Sequence, residues 1–106
     1  MATLCQVSVT AASAEEAACL GTAAVEARLA ACAQVSGPIA STYRWQGEIE
    51  SAQEWLCVLK TTEALVAPLM EQLRAAHSYD TPEIIATLVD HADPDYALWV
   101  EAQTLG

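Results

Sequence analysis

The sequence predicts an α+β fold in which two helices cover one face of a four-stranded antiparallel sheet, and three observations lead there. Four stretches are rich in strand-forming residues, two stretches with helical apolar spacing separate them, and the two middle strands meet at a tight turn. The order is strand, helix, strand, strand, helix, strand, followed by a short helix, which is the ferredoxin-like split βαβ arrangement.

Leu4 to Val9 reads as the first strand, ending at the small residues Ala11 and Ala12. Ser13-x-x-Glu16 then forms a capping-box pattern, in which hydroxyl and carboxylate satisfy free amides reciprocally, and a helix from Ala14 to Ala31 is expected. Its small face of Ala17, Leu20, Ala24, Ala27 and Ala31 suits close approach to a sheet. Cys32 to Gln46 is the second strand, interrupted at Ser36-Gly37-Pro38, where proline removes a ladder donor and a bulge or bend is expected. Beyond it Ile39, Tyr43 and Trp45 share one face, and Gln46-Gly47-Glu48 supplies the turn.

Ile49 to Thr61 returns as the third strand, apolar on both faces through Trp55, Cys57 and Leu59 on one and Leu56 and Val58 on the other. Such a strand belongs inside a sheet. Thr61 or Thr62 can cap the second helix, whose buried stripe is Leu65, Leu69, Leu73 and Ala76, with Pro68 restricted to its beginning. His77 to Glu83 is a loop, Ile84 to Val89 the fourth strand, and Tyr96 to Gln103 a terminal helix after the Asp93-Pro94 breaker. The middle hairpin runs about 14 residues per arm against about 5 to 6 for an ordinary strand, so its tip projects and invites pairing with another subunit.

The 106 residues, 54% apolar, suffice for a single domain over 1–106. No basic segment followed by an apolar stretch lies near Met1, and no run approaches the roughly 18 apolar residues of a membrane span; a cytoplasmic protein with no membrane partner is the expectation. Four cations, Arg28, Arg44, Lys60 and Arg74, stand against 14 carboxylates for a net charge of -10, which disfavours nucleic acid and anionic membranes. Four cysteines at 5, 19, 32 and 57 show no zinc-type spacing and read as reduced thiols.

The segments Leu29-Ala-Ala-Cys-Ala-Gln-Val35, Ser41-x-Tyr43-x-Trp45-x-Gly47-x-Ile49, Glu54, Lys60-Thr61, His77-x-Tyr79-Asp80-Thr81-Pro82-Glu83-Ile84 and Tyr96-x-x-Trp99-Val100 follow in this order over about 70 residues. They resemble the CutA divalent-cation-tolerance family. The resemblance implies a PII-like homotrimer whose long hairpins pair between subunits, and a divalent-cation binding or tolerance protein with a regulatory role, copper (Cu2+) being the first metal to consider and none being required for folding. It also points to Cys32 as the thiol for a soft metal, the other reading being a buried strand residue. Family members usually carry His-Pro-Tyr where this chain has His77-Ser78-Tyr79, and serine adds an amide donor and a hydroxyl there.

His77 is the other candidate metal ligand, since imidazole binds copper or moves a proton near neutral pH; its alternative role is to cap the second helix. His91, in an acidic loop, reads as a surface residue. Tyr43, Trp45, Lys60, Tyr79, Asp80, Glu83 and Trp99 are candidates to line a ligand cleft between subunits, with Lys60 as anchor for an anionic group or as partner of Glu83. No motif defines a reaction. If the chain is an enzyme or a small-molecule receptor, His77, Lys60 and Glu83 are the groups to converge; a third reading is a signalling trimer that recruits a protein partner.

Overall fold

The computed structural model describes residues 2–105. Alternation along Leu4–Ala11 (β1) buries Val7 and Val9 completely on one face and turns Gln6, Ser8 and Thr10 to the other. β1 runs antiparallel to Glu48–Thr62 (β3) on one side and to Ile84–Leu88 (β4) on the other, and Cys32–Trp45 (β2) pairs with β3, giving the order β2-β3-β1-β4. The expected ferredoxin-like sheet is present, and β3, apolar on both faces, is an interior strand.

Ala14–Glu26 (α1) and Val66–Ala76 (α2) cover the face that carries Val7, Val9, Cys57 and Leu59. The small stripe of α1 acts as expected: Ala17, Leu20 and Ala24 are buried, and a Cβ at Gly21 would stand 2.7 Å from that of Ala33. Helix and strand are therefore in van der Waals contact at that point. Pro94–Gln103 (α3) forms a second cluster with Leu4 and Ala31.

α1 ends at Glu26, five residues before the expected Ala31. Arg28 adopts a left-handed φ of 60°, and the Arg28 and Leu29 amides donate to the Val25 and Ala24 carbonyls, a Schellman closure made without glycine. The Arg28 guanidinium offsets that backbone cost by donating to the carbonyls of Ala102 and Gln103 at 2.9 and 3.2 Å, which caps α3 with a cation. Thr62 precedes a 3-10 turn, Glu63–Leu65, but makes no side-chain cap bond, and Pro68 falls in the first turn of α2, where its missing N–H costs nothing. Asp93 is the cap of α3, accepting the Tyr96 amide at 3.1 Å with Pro94 in the first turn, so the expected breaker is the start of the helix.

The β2–β3 hairpin stretches the molecule to 45 Å along its longest axis. The expected bulge lies between Ser36 and Ile39, where three steps along β2 answer two along β3. Gly37 has φ 151°, and a Cβ there would meet the Trp55 ring at 2.6 Å and the Glu54 carbonyl at 3.1 Å. At the tip Gln46 and Gly47 both have positive φ, 51° and 83°, the geometry of a type I′ turn that suits the strand twist.

Gly37→Ala therefore incurs both backbone strain and overlap with Trp55, and is expected to cost about 2–4 kcal/mol in denaturant unfolding. Gly47→Ala, with open space around it, should cost only about 1–2 kcal/mol. Equal losses at the two sites would show that the Trp55 contact is unimportant.

Candidate functional site

α2 ends so that His77 lies under the last residues of β1. Its side chain is fully buried. Nε2 lies 2.7 Å from the Thr10 carbonyl, and the Tyr79 amide donates to Nδ1 at 3.0 Å. Because Nδ1 receives that proton, the ring proton sits on Nε2 and is donated to Thr10. Both nitrogens are committed, and His77 would have to give up one bond to ligate a metal or accept a proton. It fixes the loop to the sheet.

The loop residues that follow are placed by this anchor. Tyr79 packs 4.8 Å from His77, ring to ring, and its hydroxyl donates to Glu54 at 3.0 Å. Burial, and then the hydrogen bond and charge of Glu54, push the Tyr79 phenol up to about 12. Ser78 uses both groups that proline lacks: its amide and hydroxyl donate to the two oxygens of Glu16 at 2.9 and 3.0 Å. Partial burial opposes ionisation of Glu16, yet the two Ser78 bonds prevail and hold its carboxyl below the usual range. The expected capping box is thus half formed, with Ser13 Oγ accepting the Glu16 amide at 3.0 Å while the Glu16 carboxylate holds the loop.

Between this loop and the hairpin lies a cleft of about 700 Å³. The ribbon supplies Tyr43, Trp45 and Glu50, the sheet supplies Thr10 and Glu54, and the loop supplies Tyr79, Asp80 and Glu83. Register explains the assembly: Tyr43 stands opposite Glu50, and Ile39 opposite Glu54 just past the bulge. Five of the seven expected cleft residues are brought together.

Lys60 and Trp99 are not among them. Lys60 pairs with Gln6 and Cys32 in the sheet, four residues along β1 from Thr10, or about 13 Å at strand spacing. Its ammonium donates to Gln34 at 3.1 Å rather than meeting Glu83. Trp99 packs on Tyr96 at 5.7 Å, and the Tyr96 hydroxyl lies 3.6 Å from the partly exposed Cys32 thiol. A second polar group therefore forms at the far end of the sheet. Within one chain His77, Lys60 and Glu83 do not converge, and Cys32 and His77 cannot share one ion, because the sheet register separates them. Among the described residues no three His, Cys, Asp or Glu side chains are arranged to hold a metal. Cys19 is exposed on α1, and His91 is exposed in its loop as expected.

Sequence reasoning missed Glu54 and Tyr96 as site residues. Glu54 could have been flagged as a carboxylate beside the apolar run Trp55 to Leu59, and it is only 8% exposed. The role of Tyr96 depends on how α3 folds back, which local pattern does not reveal.

The CutA1 divalent ion tolerance family model matches residues 5–103. The crystal structure of the divalent ion tolerance protein CutA1 from Ehrlichia chaffeensis superimposes with a TM-score of 0.94 at 32% identity, covering 99% of this chain and 98% of that one. CutA from Archaeoglobus fulgidus, described as a periplasmic divalent cation tolerance protein, gives 0.91 at 32% identity, covering 94% and 97%. The Escherichia coli divalent-cation tolerance protein CutA is 42% identical over 45 residues, a stretch that spans 42% of this chain and 40% of the relative.

The Ser78–Glu16 clamp sets a pH dependence. A carboxyl held low in the folded state contributes stability that is complete above its unfolded value, near 4.5, and is lost as pH falls through the folded value. Glu16→Gln and Ser78→Pro should each flatten the acid side of the stability curve, and the double variant should lose little more than either alone. Additive losses in urea melts across the acid range would refute the coupling.

Proposed function

Because the chain belongs to the CutA1 divalent ion tolerance family, matched over residues 5–103, we propose that it is a divalent-cation binding protein with a regulatory role, copper being its first candidate ion, and that it works as a cytoplasmic homotrimer. The family match carries this reading. The trimer is supported by the overlong hairpin: β2 is an edge strand, and Ile39, Tyr43, Trp45 and Ile49 remain exposed on the ribbon, surface that a second copy would cover. All four cysteines are free, which suits a reducing compartment.

For the ion, the partly exposed Cys32 thiol with Tyr96 beside it is a soft donor, fitting copper better than a hard cation. A trimer would let groups from different subunits complete the coordination. A second reading, a small-molecule receptor, is favoured by one observation, the cleft between hairpin and loop.

Native mass spectrometry at dilute concentration should give three times the 11.2 kDa chain mass, and a stable monomer would defeat the trimer. In copper titrations, Cys32→Ser should weaken binding at least about tenfold, whereas Cys19→Ser should not. Unchanged affinity and stoichiometry in Cys32→Ser would remove that ligand. If His77 also binds copper, the Tyr79 or Thr10 bond must break; accelerated amide exchange at Tyr79 on copper addition is the expected sign of ligation through Nδ1, and unchanged exchange would exclude Nδ1 as a ligand.

A further inference from the structure

α3 closes a second cavity, at the end of the sheet away from the hairpin tip. Leu4 lies on the face of β1 that α1 and α2 leave open, Thr62 stands opposite it on β3, and α3 packs against Leu4 through Ala97 and Val100. The cavity, about 450 Å³, is lined by Thr3, Thr62, Glu63, Glu101 and Thr104. Their functional groups are all oxygens.

Two of these oxygens are buried without a partner. Thr62 is only 5% exposed and its hydroxyl bonds nothing; Oε2 of Glu101 is likewise buried and unbonded. Buried polar atoms of this kind are costly in a folded chain, and two of them lining one cavity point to a group that satisfies both.

Glu101 carries a further cost. It lies in the last turn of α3, where free carbonyls gather negative potential and a carboxylate is repelled. Arg28, the cation at that helix end, is spent on the carbonyls of Ala102 and Gln103, and among the described residues no basic side chain lines the cavity. Thr104 gives its hydroxyl proton to the Val100 and Glu101 carbonyls, so its oxygen remains only as an acceptor.

The donor set selects its ligand. Carboxylates and hydroxyls, with no nitrogen or sulfur among them, suit a hard cation and not the soft ion that fits Cys32. Calcium takes about six to eight oxygens in flexible geometry, whereas magnesium dehydrates reluctantly and demands a near-ideal octahedron. Carboxylates borne on separate elements, a 3-10 turn and a helix, match the more tolerant ion. The buried Glu101 oxygen can turn toward it, because the terminal torsion of a glutamate is soft.

We propose that this cavity is a calcium site, in which the Glu63 and Glu101 carboxylates hold the ion, the Thr62 hydroxyl adds a neutral oxygen and waters complete the shell. Glu101 is the residue that binds at the expense of stability. The site uses neither Cys32 nor Tyr96, so it stands or falls apart from the copper reading.

Calorimetric titration of the native assembled protein with Ca2+ at fixed ionic strength tests this, with Mg2+ as the second probe and native mass to confirm that each variant is assembled. Ca2+ should bind saturably and more tightly than Mg2+. Glu101→Gln should weaken it at least about tenfold, and Thr62→Val about threefold. Cys32→Ser and Glu71→Gln, the latter removing an exposed acid on α2, should leave it unchanged. Without Ca2+, Glu101→Gln should melt at or above the parent temperature, since it removes an unpaired charge; Ca2+ should then raise the melting temperature of the parent and not of the variant. A lower melting temperature for Glu101→Gln without Ca2+ would mean that the carboxylate is structural, and would overturn the proposal. So would absence of saturable binding, Mg2+ binding at least as tightly as Ca2+, or equal weakening by Glu71→Gln, which would show calcium drawn diffusely by the net charge of -10.

Discussion

The buried imidazole of His77 is the interaction on which the site depends. It joins a carbonyl at the end of β1 to an amide in the following loop, so two polar backbone groups are satisfied by one side chain where no strand continues. Tyr79 is then directed onto Glu54, Ser78 onto Glu16, and the loop becomes a fixed wall instead of a mobile connection. A residue selected from sequence for its reactivity has both ring nitrogens engaged in the architecture.

Much of the fold was legible because it is written in local pattern. The alternation of Val7 and Val9 with Gln6 and Ser8, the small face of α1 and the two-faced β3 each follow from one element and its period, and the sheet order follows from them. Element ends were less legible. The end of α1 depends on Arg28 reaching carbonyls more than 70 positions away, and no window around Arg28 contains that information.

The site was readable in part for the same reason. Tyr43, Trp45, Tyr79, Asp80 and Glu83 lie on the two segments that the hairpin and the loop bring face to face, and both segments were visible as punctuated patterns. Lys60 and Trp99 lie away from this cleft within one chain because register decides position along a strand, and register is a relation between strands: four residues of β1 separate Lys60 from the Thr10 end. The family resemblance supplied the roster of residues. It could not say that serine in place of proline would be used as a two-pronged donor, which is a property of this chain's Glu16 and Ser78 together.

Arg28 carries a further implication for how the chain is put together. One residue closes α1 with its backbone and α3 with its side chain, while its carbonyl accepts the Leu105 amide at 2.9 Å. α3 is thereby fastened to the turn that closes α1. During synthesis α1 and the first three strands can assemble before α3 exists, but the strained turn at Arg28 acquires its compensation only when α3 has formed. α3 acts as the latch on a fold that is otherwise already shut.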